Sequence, residues 1–250
     1  MEQGFVKVAS ATPRIRVADP VYNAQVICEQ AKEAAEHGAK IVVFPELCIT
    51  GYTCNDLFLQ ELLLEKAKEA LLTIAEETGQ LETLFLVGLP VDKDGRLYNV
   101  AAVLYRGRIL GMIPKKNIPM YAEFYEGRHF TPGEETVTEY RLGKQVIPFG
   151  SNLLFRCEEL PELILGCELC EDLWVAEPPS TSHALMGATV IANLSASNET
   201  VSKDDYRTLL IKASSARLLC GYIYTSAGEG ESTQDLVFGG HDLIAENGTL

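Results

Sequence analysis

The chain has 250 residues, 47% of them apolar and 22% charged, which excludes a disordered or collagen-like polymer and suffices for one large domain or two modest ones. Thirty-five acidic residues against 21 basic ones give a net charge of −14. That charge repels phosphate backbones and anionic lipid heads, so neither nucleic acid nor a membrane surface is an expected partner.

Seven cysteines, an odd number scattered through apolar segments, lack the spacing of a secreted disulfide framework, so reduced thiols and a cytoplasmic location are expected. The N-terminal residues show no basic region followed by an apolar run, and no stretch approaches the roughly 18 apolar residues of a membrane span.

Taken in chain order, the apolar pattern alternates between strand and helix. Residues 5–9 read as a short strand. Pro20 opens a helix whose stripe Ala24, Ile27, Cys28, Ala31, Ala34 and Ala35 holds helical spacing up to Gly38. Residues 41–44 form a continuous apolar run, a strand buried on both faces. One long helix is expected over about 56–78, with the acidic residues of 61–77 as its solvated face, then a buried strand at 84–89. This order implies a mostly parallel sheet with crossover helices. Residues 97–105 and 108–113 follow as a hairpin turning at Arg106-Gly107. From 114 to about 150 the chain is rich in Pro, Gly, Tyr and charge without a sustained period, and reads as one long functional loop. Strands at 163–166, 190–194 and 222–226 then alternate with helices over about 179–186 and up to Gly221. A last pair at 236–238 and 242–245 leads to the turn signal Asn247-Gly248, which suggests a piece of a longer polypeptide. With no linker-like shift in composition, residues 1–250 read as one α/β domain.

Ligands of α/β sheets gather at the carboxyl ends of strands, and three such ends carry reactive groups: Pro45-Glu46, Pro114-Lys115, and Cys167-Glu168-Leu169-Cys170-Glu171-Asp172. A carboxylate, an ammonium and a thiol converging on one point would support nucleophilic attack on a carbonyl or nitrile carbon, with the carboxylate as base and the lysine holding the oxyanion. No histidine is required. His37, His129, His183 and His241 sit at a helix end or in loops, none in a cysteine-protease pattern. The Cys167-x-x-Cys170 pair lacks a second pair at metal-ligand spacing, so no metal is expected. Its acidic neighbours and late position do not suit a redox pair. Cys167 is expected to finish a buried strand and Cys170 to emerge at its tip. Glu46 alone could be a cap; its company gives it weight. Gly228-Glu229-Gly230-Glu231-Ser232 has glutamates where an anion site needs cations and reads as a flexible turn near the site.

On these residues the chain resembles the carbon–nitrogen hydrolase (nitrilase) superfamily, through FPELCITGY around Glu46, IPKKNIPMYAEFYEGRHF around Lys115 and GCELCEDLW around Cys170. Within it, the Tyr121–Glu126 block, Cys170–Trp174, NLSAS at 193–197 and AGEGES at 227–232 are similar to the glutaminase branch that precedes an NAD synthetase domain. The resemblance implies an α/β fold of the four-layer αββα sandwich type, with mixed sheets and flanking helices. It also implies an enzyme that hydrolyses L-glutamine through a glutamyl thioester, with Cys170 as nucleophile, Glu46 as base and Lys115 as oxyanion holder. Glu123 is implied as a second acidic residue beside the triad, with Tyr121, Ser197, Lys203, Phe124 and Glu171 contacting or lining the substrate site. Ammonia would pass to a C-terminal synthetase domain that uses ATP and magnesium, this part needing no cofactor, and a homo-oligomer is expected. Lys203 stands where relatives carry arginine, which should weaken recognition of a planar group while keeping the charge. Met120 and Cys48 depart from the pattern without touching the triad. The alternatives are a free-standing amidase for another small amide and a non-catalytic scaffold.

Overall fold

The computed structural model describes residues 4–250. Two sheets are built from twelve strands: β1 (Val8–Ser10), β2 (Ile41–Val43), β3 (Leu84–Lys93), β4 (Arg96–Tyr105), β5 (Arg108–Pro114), β6 (Thr138–Leu142), β7 (Gln145–Phe149), β8 (Phe155–Arg156), β9 (Ile164–Leu169), β10 (Val190–Ser195), β11 (Gly221–Ser226) and β12 (Leu243–Glu246). The first sheet runs β1-β2-β3-β4-β5-β7-β6 and the second β12-β11-β10-β9-β8. Parallel pairing at β1-β2-β3 and β9-β10-β11 sits beside antiparallel hairpins, so both sheets are mixed. The helices are α1 (Pro20–Glu36), α2 (Glu61–Glu77), α3 (Pro179–Leu185) and α4 (Lys203–Leu218).

Period-two alternation sorts each strand's side chains into layers. Ile41, Val43, Leu86, Ala101 and Val103 face Leu165, Cys167, Leu169, Ala192, Leu194 and Ile223 of the other sheet, forming a core between the sheets. Their neighbours Val42, Phe85, Val87, Val100 and Ala102 pack outward against Ala24, Ile27 and Ala31 of α1 and Ala67, Leu71 and Ile74 of α2. Ile191, Tyr222 and Tyr224 pack outward with Ile211 of α4. The result is the expected αββα sandwich, with the strand ends of both sheets meeting at one edge.

Several boundaries differ from the sequence reading. The helix expected over 56–78 is two pieces, a short 3-10 segment Tyr52–Leu59 and α2, separated by Gln60 in extended conformation. The loop expected over 114–150 contains the β6–β7 hairpin, whose strands alternate buried Tyr140, Leu142 and Ile147 with exposed neighbours. Pro148 within β7 masked it, since proline argues against a central strand and this hairpin lies at the sheet edge. β3 runs on to Lys93 and turns into β4 through Asp94-Gly95, both at positive φ (52° and 73°); this Asp-Gly signal matches a type I′ hairpin. Residues 236–238 form no strand; Phe238 makes a single bridge with Asn198. No helix among the described residues is long and apolar enough to cross a membrane.

Candidate active site

Glu46 follows β2 on a loop drawn against both sheets. Its amide donates to Ser195 O of β10 at 3.3 Å. The loop lies so close to β3 that a Cβ on Gly88 would stand 2.3 Å from Leu47 N, so only glycine fits beneath it. The Glu46 carboxylate is fully buried, and every bond it makes is directional. Oε1 accepts from Lys115 Nζ and Asn99 Nδ2, each at 2.7 Å, and Oε2 accepts from the Ala196 amide at 2.9 Å.

Lys115 leaves the end of β5 with its amide on Asn99 O at 2.8 Å. Its ammonium, also fully buried, donates to Glu46 Oε1 and to Glu126 Oε1 at 2.6 Å. Burial alone would pull its pKa down, but the fields of Glu126, Glu46 and Cys170 outweigh this and raise it well above the usual lysine value, so it stays charged. Burial pushes Glu126 up, against the pull of Lys115, and Tyr52 Oη supports the carboxylate by donating to Oε1 at 2.9 Å.

Cys170 ends the third arm. It follows β9 at φ 40°, a left-handed conformation that costs a non-glycine residue about 1–2 kcal/mol. Asp172 braces this elbow: its carboxylate accepts from Leu169 N at 3.0 Å and from the Asn117 amide and side chain, each at 2.8 Å. The turn at Cys170 is thereby tied to the chain two residues beyond Lys115. Burial and the charge of Glu46 push the Cys170 thiol up to about 12, with Lys115 opposing, so at neutral pH the sulfur rests as a thiol and needs a base. Cys167 lies on β9 with its side chain in the core between the sheets, as expected.

Glu46, Lys115 and Cys170 are thus brought together, since the first two are bonded and both act electrostatically on the third. The other expected residues fall into two groups. Tyr121 Oη donates to Glu171 at 3.0 and 3.1 Å and meets Phe124 edge-on at 5.7 Å, while the Lys203 ammonium lies 5.6 Å from the Phe124 ring centre and 5.2 Å from that of Trp174. Ser197 and Glu123 are spoken for differently. Ser197 Oγ accepts from the buried Arg207 at 3.3 Å, and Glu123 accepts from Asn198, which also accepts from Lys203.

Glu123 does not stand beside Lys115; Glu126 does. The chain turns at Ala122 (φ 48°), Phe124 goes inward and is buried, and the carboxylate delivered to the lysine comes three residues after Glu123. Two glutamates at helical spacing cannot be ranked by pattern alone. Asn99, Tyr52, Asp172 and the Ala196 amide were also missed. Tyr52 and Asp172 lie inside the quoted motifs, whereas Asn99 gives no local signal. A small cavity of about 50 Å³ opens beside Glu126, lined by Tyr52, Phe58, Glu123, His129, Phe130 and Leu236 among others. Among the described residues no group of three or more His, Cys, Asp or Glu side chains is placed to hold a metal ion.

A double-sheet sandwich with a buried carboxylate, ammonium and thiol at its strand ends defines an enzyme class, and residues 7–246 match the family model for carbon-nitrogen hydrolase. The chain belongs to that family. It is 43% identical over 249 residues to the glutamine-dependent NAD(+) synthetase of Mycobacterium tuberculosis, covering 100% of this chain and 37% of that one. Its fold superposes on a glutamine-dependent NAD(+) synthetase from Cytophaga hutchinsonii with a TM-score of 0.88 at 29% identity, covering 98% of this chain and 39% of the other. An amidase from Nesterenkonia sp. shares the fold at a TM-score of 0.74 and 21% identity, covering 97% and 83%.

Proposed function

We propose that this chain hydrolyses the side-chain amide of L-glutamine and that the ammonia feeds an NAD synthetase reaction. The observation that carries the reading is the buried chain of bonds Glu46–Lys115–Glu126 set against a strained, protonated Cys170. In the first step the Cys170 sulfur bonds to the carboxamide carbon while its proton passes to Glu46. The oxygen gains the negative charge, which the Lys115 ammonium stabilises where water is excluded. Collapse breaks the C–N bond, Glu46 returns the proton to the departing nitrogen, and ammonia leaves a γ-glutamyl thioester. Water activated by Glu46 then attacks the thioester, releasing glutamate and restoring the thiol.

The substrate class rests on the mouth of the site. Lys203 and Glu171 offer opposite charges to the two ends of an amino-acid zwitterion, and Phe124 and Tyr121 offer apolar walls to its methylenes. The synthetase role rests on the names of the relatives, of whose length the chain spans about 37%. ATP and magnesium would belong to the part of such a protein outside these residues, in the cytoplasm, and the hydrolysis proposed here uses only side chains. The test is ammonia release from glutamine compared with propionamide. Turnover of glutamine at least a hundredfold faster, lost in Cys170→Ala, supports the proposal; preference for the simple amide would instead indicate a free-standing amidase.

A further inference from the structure

The AGEGES segment lies outside the chemistry derived above, yet it is bound to it. Glu231 reaches back to the start of the Tyr52–Leu59 segment, where its Oε1 accepts from Tyr52 N at 2.7 Å and its Oε2 accepts from Thr53 N at 3.0 Å and Thr53 Oγ1 at 2.6 Å. Thr53 Oγ1 in turn accepts from Ser232 N at 2.9 Å. The strap has no freedom to place that carboxylate elsewhere. Ile15 N donates to Glu229 O at 3.1 Å, and Gly230, at φ 107°, lies so close to Ile15 that a Cβ would stand 1.9 Å from its carbonyl oxygen. The segment expected to be a flexible turn is a tied clamp on the backbone of Tyr52, and Tyr52 Oη is the donor on Glu126.

We propose that Glu231 is a positioning residue for the acid–base relay: by gripping Tyr52 and Thr53 it holds the Tyr52 phenol on Glu126 and so sets the charge that Glu126 presents to Lys115 and Cys170. This deepens the amide-hydrolase reading of the site. The groups facing Glu126 are Lys115 from the end of β5, Glu46 after β2, Asn99 from β4 and Tyr52, and the charge of Glu126 bears in turn on the Cys170 thiol. Glu123, His129 and Asp235 share the cavity beside it. Tyr52 lowers the pKa of Glu126 and ionised Glu126 raises that of Cys170, so the ionisation of Glu126 bends the pH profile of Cys170 reactivity.

The experiment follows iodoacetamide alkylation of Cys170 against pH by peptide mass, and ammonia release from glutamine in parallel. Tyr52→Phe removes the phenol and should move the bend to higher pH. One hydrogen bond is worth about half to one pH unit by the usual net energies. Glu231→Gln should move it the same way, the double variant should move it no further than Tyr52→Phe alone, and in a Glu126→Gln background neither change should have an effect. Thr53→Val, which removes one donor to Glu231 and leaves the carboxylate in place, should give a smaller shift of the same sign and carries the test if Glu231→Gln does not fold. A lowered rate with an unmoved bend in Glu231→Gln or Thr53→Val, or shifts that add in the double variant, overturns the proposal. Alkylation needs no turnover, so a protein that releases no ammonia but shows the shared shift would refute glutamine as substrate and leave the positioning role standing.

Discussion

Cys170 combines a left-handed backbone with a thiol pushed up to about 12, mainly by burial and by Glu46. The sign of the second effect separates two roles of Glu46. As a base it accelerates attack on an amide, by a factor on the order of 10² to 10⁴ for such groups; as a fixed negative charge it disfavours the thiolate. Glu46→Gln should therefore cut ammonia release from glutamine by at least about a hundredfold while making Cys170 alkylation at pH 8 faster. Slower alkylation would show that the Coulomb field of Glu46 is not what holds the thiol protonated. In the unaltered protein, between pH 8 and about 11, alkylation should rise close to tenfold per pH unit, because the thiolate fraction does so below the thiol's pKa. A plateau by pH 9 would contradict the raised value.

At this scale the sequence was informative where chemistry and strand ends coincide. Glu46, Lys115 and Cys170 each follow an apolar run, and that position is visible without coordinates. Glu126 was not separable from Glu123, because the choice is made by one backbone angle at Ala122.

Among elements, the loop holding Glu46 and the elbow holding Cys170 need rigid support. Gly88→Ala puts a methyl into the backbone of residues 45–47, which must lift the loop. Misplacement of about 1 Å is enough to cost roughly a hundredfold in rate, so turnover should fall by that order even where the fold survives; an unimpaired rate would show that the close approach is not needed. Asp172→Asn leaves the Leu169 amide facing a group that can accept with only one of its two atoms, and an unmet buried donor costs about 1–3 kcal/mol. Its urea midpoint and its turnover should both fall. The strands of the two cores were legible from their continuous apolar runs. The β6–β7 hairpin was not, being short and interrupted by Pro148, and the break at Gln60 was hidden because leucines on both sides continue the apolar pattern although Leu57, Leu59 and Leu62 are exposed.

Across the whole molecule, the core between the sheets is what brings strand ends from both sheets to one edge. Leu194, fully buried there, sits one turn of the pleat before Ala196, whose amide holds Glu46 Oε2. Leu194→Ala should cost about 2–5 kcal/mol of stability, as for other buried leucines, and reduce turnover at temperatures where the protein remains folded. A loss confined to stability would show that the sheet interface and the site are energetically separate. The layered α/β class was readable from alternating elements. The division into two sheets came only from the family resemblance, since strand pairing across the molecule leaves no local mark.

The central claim is that Cys170 carries the substrate covalently. Mixing the protein with saturating glutamine, quenching in acid within milliseconds and mapping peptides by mass should find one γ-glutamyl group, on Cys170, formed as ammonia is released and absent from Cys170→Ala. Ammonia release from glutamine with no acyl group at any time point, or an acyl group on another of the seven cysteines, would contradict the account.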